Sequence, residues 1–146
     1  SVEAPVSVLI IAEGGSNHGG TIQGAIALMD AAKDAGADVI KYQMFRADKL
    51  VVAGPMREAA RPWEMPLEWL PALADHSNTL GIELMFSAFD KESIDAIAPY
   101  SKRIKIASLE ASDSELVAYA ASKGKPLPAR VTSGKRMNTR ATRGRR

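Results

Sequence analysis

The stretch Val39-Ile-Lys-Tyr-Gln43 is an apolar, strand-like run that ends in polar residues just before a turn. Three further segments share this design, namely Val8-Leu-Ile-Ile-Ala-Glu13, Ile82-Glu-Leu-Met-Phe-Ser87 and Ile104-Lys-Ile-Ala-Ser108. Helical patterns separate them over residues 22–32, 67–80 and 94–98, and Ser112-Asp-Ser-Glu115 is a capping box that opens a fourth helix. The chain therefore predicts four βα units with parallel strands, in either a closed barrel or a doubly wound open sheet.

The composition is typical of one globular unit, with 46% hydrophobic and 25% charged residues among 146. Because the chain has no cysteine, it has no disulfide and no thiolate metal site, and we expect a reducing, cytoplasmic location. Apolar runs such as Val8 to Ala12 are far shorter than the roughly 20 residues of a membrane span, and no basic segment precedes this one. Neither membrane insertion nor secretion is expected.

The net charge of +2 is unevenly distributed. Residues 1–115 contain all 17 acidic residues and only 10 of the 19 basic ones. The body of the chain therefore lacks the basic face of a nucleic-acid-binding domain. Because seven of the last 17 residues are Lys or Arg, we expect a folded α/β unit over residues 1–126 and a basic, disordered tail over residues 127–146.

Charged residues at the strand ends are the first candidates for a site, because ligands bind at the carboxyl ends of parallel strands. Glu13 ends the first strand, Lys41 and Gln43 share one face of the second, and Lys105 lies between two isoleucines in the fourth. A buried lysine requires a partner anion, so two of them predict an anionic ligand. The alternative is that each lysine reaches solvent or pairs with a nearby acid.

The turn Glu13-Gly-Gly-Ser-Asn-His-Gly-Gly20 follows the first strand directly. Glycines let a ligand approach the backbone, although the spacing of the dinucleotide fingerprint is absent. A lone histidine such as His18 is more often a hydrogen-bonded turn residue than a metal ligand, and His76 is a weaker candidate. About twenty residues, including Arg57 and Trp63, separate Gln43 from the next helix, a length that indicates either a binding loop or lid or a variable surface excursion.

Six segments together resemble the successive motifs of the N-acetylneuraminate (sialic acid) synthase family. They run in order from about residue 8 to Pro126: Ile11-Ala-Glu-Gly-Gly-Ser-Asn-His-Gly-Gly20, Asp30-Ala-Ala-Lys-Asp-Ala-Gly-Ala-Asp38, Lys41-Tyr-Gln43, Gly81-Ile-Glu83, Phe86-Ser-Ala-Phe89 and Lys105-Ile-Ala-Ser108. The resemblance implies a TIM-type (βα)8 barrel, of which residues 1–126 are expected to form a partial barrel with about the first four βα units. It also implies condensation of phosphoenolpyruvate with an N-acyl hexosamine, N-acetylmannosamine or a relative, to a nine-carbon 2-keto sugar acid and phosphate.

The resemblance also implies roles for single residues. Glu13, Lys41 and Lys105 match the catalytic positions, the glutamate on the sugar side and the two lysines on phosphoenolpyruvate. The matching substrate-binding residues are Gln43, Ser87, Ser108, Glu110, Asn17 and His18. The sequence departs from the family pattern at Gly14, Phe86, Ala88 and Leu109, which bears on the geometry of the phosphate pocket.

After Pro126 the resemblance fails, because Pro128 and Arg130 interrupt what would be a fifth buried strand. One hypothesis is a disrupted reading frame near residue 127. The family implies a divalent metal, Mn or Mg, held by two histidines of later strands that this chain lacks, so no metal ligand is assigned. Four strands cannot close an eight-strand barrel, and we expect self-association and little activity.

Two alternative functions are weighed beside the synthase. One is another phosphoenolpyruvate-using or aldolase-type barrel enzyme with similar charged strand ends. The other is a non-catalytic polyanion-binding module that acts through the basic tail, although nucleic acid is not the expected partner.

Overall fold

The computed structural model describes residues 7–107, 110 and 112–128. Four parallel strands form one sheet in the order β1-β2-β3-β4, and they span Ile11–Gly15 (β1), Val39–Met44 (β2), Glu83–Ala88 (β3) and Ile104–Ile106 (β4). The helices are Ile22–Asp34 (α1), Ala47–Leu50 (α2), Pro55–Ala60 (α3), Leu70–Leu80 (α4), Lys91–Ile97 (α5) and Ser114–Ala121 (α6), with short 3₁₀ turns at Arg61–Trp63 and Leu67–Trp69.

The sheet is a segment of a barrel and not a doubly wound sheet. A doubly wound sheet reverses its strand order and has helices on both faces, whereas these strands follow one another in chain order. Alternate residues of the strands, such as Ile40, Tyr42 and Phe86, pack with the helices in one apolar core. The core is therefore on one side of the sheet, and the residues between them face the inner side of the curve. The predicted partial barrel is confirmed.

The helix ends agree with the sequence patterns with one correction. Gly81 ends α4 with a φ of 66°, and Thr21 and Asp90 accept hydrogen bonds from backbone amides at the starts of α1 and α5. The predicted cap at Ser112 is wrong: the carboxylate of Asp113 accepts from the amides of Glu115 and Leu116. A carboxylate one residue later offers an equally good acceptor, so α6 begins at Ser114.

The chain returns to the sheet after α6. The Pro126 carbonyl accepts a hydrogen bond from the amide of Ile104, 3.1 Å away, on the side of β4 that faces away from β3. Leu127 packs against the core. Within the described ranges, no helix combines the length and apolar character needed to cross a bilayer.

Gly14 and Tyr42 fit together across β1 and β2. A Cβ atom at position 14 would lie only 2.9 Å from Cε1 of the Tyr42 ring. The ring is fully buried, and its hydroxyl donates to the Ala25 carbonyl of α1. Gly14, one of the departures from the family pattern, thus makes room for a large aromatic side chain.

We expect Gly14→Ala to destabilise the fold by about 1–3 kcal/mol through overpacking. Most of this cost should disappear in a Tyr42→Leu background, because the ring that the methyl group meets is then absent. Urea unfolding of the two single variants and the double variant measures the coupling. An equal cost in both backgrounds would show that the ring is not the obstacle.

The chain also has exposed apolar residues at the β1 end of the sheet. Val8 and Ile10 are 79% and 57% exposed, and they precede a strand that, in the described residues, pairs with β2 alone. We expect the 146-residue chain to self-associate through this edge, and Ile10→Lys to reduce the association because a charge resists burial. Sedimentation velocity over a concentration series measures it, and a sharply monomeric wild-type species with cooperative unfolding would contradict it.

Candidate active site

The inner face of the sheet carries the polar residues that the sequence placed at the strand ends. Lys41 and Gln43 alternate with the core residues Ile40, Tyr42 and Met44 along β2. The strand register aligns Glu13 with Lys41, and it aligns Gln43 with Ser87 and Ser87 with Lys105. With adjacent strands about 5 Å apart, the Gln43, Ser87 and Lys105 positions form a row about 10 Å long above the Glu13 and Lys41 pair.

Glu13 and Lys41 form an ion pair across β1 and β2. The Lys41 side chain is 12% exposed and that of Glu13 is 52% exposed. A nearly buried ammonium is costly without an anion, and the carboxylate of the neighbouring strand provides one. Lys41 therefore follows the alternative stated for the strand-end lysines, in which the lysine pairs with a nearby acidic residue. Because Glu13 stays accessible to solvent, it can also contact a ligand at the mouth.

The upper row combines an amide, a hydroxyl and an ammonium. Gln43 is half-buried, and its Oε1 accepts a hydrogen bond of 3.0 Å from the hydroxyl of Ser16. Ser87 is buried in β3, and Lys105 is half-buried with its Nζ 3.4 Å from the Ile106 carbonyl. Glu110 follows β4 in a turn, where its amide bonds the Ala107 carbonyl at 3.0 Å. Ser108, the other hydroxyl of the predicted pocket, lies outside the described residues.

The turn after β1 bends sharply into α1. Gly15 has a φ of 54°, which a residue with a Cβ rarely adopts, and the amide of Asn17 bonds the Gly14 carbonyl at 3.1 Å. The Asn17 side chain is exposed at this turn. Asn17 therefore lies near the carboxyl ends of the strands, where its side chain can reach a bound ligand.

His18 is fully buried, and both ring nitrogens have partners within the protein. Its Nδ1 accepts from the amide of Gly20 at 3.0 Å, which leaves the proton on Nε2, 3.2 Å from the carbonyl of Trp63. Its ring meets that of Trp69 edge to face, with centroids 5.2 Å apart. The predicted substrate-binding histidine is thus a hydrogen-bonded turn residue, which is the other role weighed for it.

The long connection between β2 and α4 is folded against the site. It contains α2, α3 and two 3₁₀ turns, and Glu64 accepts from the amide of Ala47 at its base. Arg57 makes a hydrogen bond within this connection, in which its Nε donates to the Val51 carbonyl at 2.9 Å. His18 ties this segment to the turn after β1 through Trp63. Sequence reasoning noticed its length but had no signal for that contact.

Two other features were missed by sequence reasoning. Ser16 contacts Gln43, but a serine in a turn carries no distinguishing pattern. Phe45 and Phe89 follow β2 and β3 and form an edge-to-face pair with centroids 5.9 Å apart. A phenylalanine follows each of these two neighbouring strands at the same position, and this match could have predicted the ring pair from the sequence.

No group of three metal-ligating side chains occurs in residues 7–107, 110 and 112–128. Both histidines have other partners, because His18 is bonded on both nitrogens and His76 Nε2 lies 2.6 Å from Asp30 Oδ1 between α4 and α1. The residues described here therefore do not fit the divalent metal that the family resemblance implies.

We expect acid to loosen the segment that His18 holds. Burial lowers the pKa of His18 from its usual 6.5, an effect that the Trp63 hydrogen bond opposes, so the fold favours the neutral ring. The resulting stabilisation is present above pH 6.5 and is lost as the pH falls through the lowered pKa, because protonated Nδ1 can no longer accept from Gly20.

The two tryptophans of the chain, Trp63 and Trp69, both contact His18 and report this change by fluorescence. A pH titration of wild type should show an emission shift with a midpoint below 6.5. His18→Gln should abolish the shift, and His76→Gln, at the only other histidine, should retain it. A shift that follows His76 instead would assign the titration to the α1–α4 surface.

Comparison with known proteins finds relatives that include a sugar acid synthase. The chain is 36% identical over 138 residues to the spore coat polysaccharide biosynthesis protein SpsE of Bacillus subtilis, covering 86% of this chain and 36% of that protein. It is also 36% identical to an N,N'-diacetyllegionaminic acid synthase of Legionella pneumophila, covering 84% of this chain and 39% of the relative. The chain thus spans less than half the length of these relatives.

Solved structures agree in fold. A sialic acid synthetase from Leptospira borgpetersenii, crystallised with citrate, superposes with a TM-score of 0.77 at 28% identity, over 82% of this chain and 43% of that one. A 3-deoxy-D-arabino-heptulosonate 7-phosphate synthase from Thermotoga maritima, at 15% identity and a TM-score of 0.60, shares the fold alone. The family model described as the NeuB family matches residues 28–135, most of the chain, and the chain belongs to this family.

Proposed function

We propose that this chain provides part of the active site of an enzyme that condenses phosphoenolpyruvate with an N-acyl hexosamine to a nine-carbon 2-keto sugar acid. The observation that carries the proposal is the inner face of the sheet. There Glu13, Lys41, Gln43, Ser87 and Lys105 lie in two adjacent rows, although they come from four separate strands.

The phosphoenolpyruvate side of the site is assigned to Lys41, Ser87 and Lys105. A trianion requires fixed cations and hydroxyl donors that are in position before it binds. Two lysines on separate strands can contact the carboxylate and the phosphate, and the buried Ser87 hydroxyl can donate between them. Ser108, outside the described residues, is proposed for the same pocket.

The sugar side is assigned to Glu13, Gln43, Glu110 and Asn17. Glu13 pairs with Lys41 but is half-exposed, so an arriving anion can take over the lysine and release the carboxylate toward a sugar hydroxyl. Gln43 supplies amide hydrogen bonds, and Glu110 and Asn17 flank the same end of the sheet. His18 supports this side indirectly, because it holds the β2–α4 connection against the turn that carries Asn17.

The reaction itself is a carbon–carbon bond formation. C3 of phosphoenolpyruvate bonds to the aldehyde carbon of the open-chain sugar, whose carbonyl oxygen gains a proton to become a hydroxyl. Water adds at C2, and cleavage of the C2–O bond releases phosphate and leaves the 2-keto acid. Holding the two reactants in contact supplies much of the acceleration, and Glu13 is the group proposed to exchange protons with the sugar.

The relatives support the sugar acid class of product without fixing the hexosamine. They include legionaminic and pseudaminic acid synthases, and this chain covers 39% of the length of each. A divalent metal, Mn or Mg, would polarise the sugar aldehyde in the family. Because the described residues offer it no ligand set, none of the steps above depends on it.

The experiment that tests this proposal is binding of phosphoenolpyruvate to the 146-residue chain by calorimetry. Lys41→Gln should weaken binding at least about tenfold, because hydrogen bonds to a charged group contribute about 1.5–3 kcal/mol. Binding should also weaken with added salt. Lys102→Gln is the matched control, since that lysine is exposed at the opposite end of the sheet.

A simple sugar phosphate should bind more weakly than phosphoenolpyruvate, because it lacks the carboxylate for the second lysine. Equal binding of both compounds would favour an aldolase-type barrel that recognises phosphate alone. The proposed function would be refuted if wild type bound no phosphoenolpyruvate. It would also be refuted if Lys41→Gln and Lys102→Gln lost the same amount of phosphoenolpyruvate affinity.

A further inference from the structure

We propose that Ser16 is a positioning residue that sets the orientation of the Gln43 amide and so contributes to recognition of the sugar. This inference rests on the proposed function and adds a residue to its sugar side. The residue lies in the turn after β1, half-buried, and its hydroxyl donates to Gln43 Oε1 at 3.0 Å from 27 positions away in the chain.

In this contact the Ser16 hydroxyl donates to Oε1, which leaves the Nε2 end of the amide available to a ligand. A glutamine amide can rotate by 180° and exchange its acceptor oxygen for its donor nitrogen. With Oε1 held by Ser16, the Nε2 group presents its two N–H donors to the remaining space. Donors suit the oxygen acceptors of a neutral amino sugar, such as an N-acyl carbonyl or a hydroxyl oxygen.

The surroundings of Gln43 make this orientation consequential. The same strand places Lys41 two residues earlier, and the next strand places Ser87 directly in register with Gln43. Because both neighbours are assigned to phosphoenolpyruvate, Gln43 lies at the boundary between that anion and the sugar. A flipped amide would present its oxygen there, where it would repel the sugar's acceptor oxygens and lose the contact.

The turn that holds Ser16 is itself well fixed. Gly15 adopts a positive φ immediately before it, the Asn17 amide closes the turn on the Gly14 carbonyl, and His18 is bonded on both nitrogens immediately after it. The hydroxyl is therefore presented from a rigid support, which is what an orienting group requires.

The test is titration of N-acetylmannosamine into the 146-residue chain saturated with phosphoenolpyruvate, followed by NMR. Ser16→Ala should weaken sugar affinity about three- to tenfold, the range expected for one hydrogen bond, and leave phosphoenolpyruvate affinity within about twofold. Ser16→Thr should restore it by returning a hydroxyl. Ser122→Ala is the matched control, because its hydroxyl is also a hydrogen-bond donor, in this case to the Tyr119 carbonyl, but lies at the far end of α6.

A double-mutant cycle separates positioning from a general structural effect. In a Gln43→Ala background the Ser16→Ala change should have no further effect on sugar affinity, since no amide remains to be oriented. Additive losses, an equal loss for phosphoenolpyruvate, or no rescue by threonine would overturn the inference. The inference would also be overturned if the wild-type chain bound phosphoenolpyruvate but no sugar, although the anion side of the proposed function would then stand. Failure to bind phosphoenolpyruvate at all would refute both the inference and the proposed function.

Discussion

The ion pair between Glu13 and Lys41 is the interaction on which the rest of this site depends. Lys41 lies on a strand with most of its side chain removed from water, and its charge is tolerated because a carboxylate from the next strand lies against it. The pair joins β1 to β2 at the base of the mouth. The pair also keeps a cation and an anion side by side at the proposed boundary between phosphoenolpyruvate and the sugar. Glu13 is the more exposed partner and therefore the one that can move.

The two faces of the sheet explain how a polar site and a stable core occupy the same short strands. Ile40, Tyr42 and Met44 bury one face of β2 under the helices, which leaves Lys41 and Gln43 on the other. Gly14 lets the Tyr42 ring pack closely without disturbing that alternation. The core therefore constrains the site, because a slip of one residue in register would turn the lysine into the apolar layer.

Loops at the mouth are held to the sheet by single, specific contacts. His18 connects the turn after β1 to the long β2–α4 connection through the Trp63 carbonyl, and Ser16 connects the same turn to Gln43. One turn thus contacts both the β2–α4 connection and Gln43, which border the proposed sugar side.

The sequence by itself determined the four βα units, the end of α4 at Leu80, just before Gly81, and the sharing of one face by Lys41 and Gln43. These features follow from local periodicity and backbone freedom, which neighbouring residues specify. Only the tertiary structure decided between a barrel segment and a doubly wound sheet, since strand order depends on how units pack. It alone gave Lys41 its partner in Glu13, placed Nε2 of His18 against the Trp63 carbonyl and brought Ser16 to Gln43. Contacts between residues 27 or more positions apart depend on register and crossing geometry, and no local pattern encodes them.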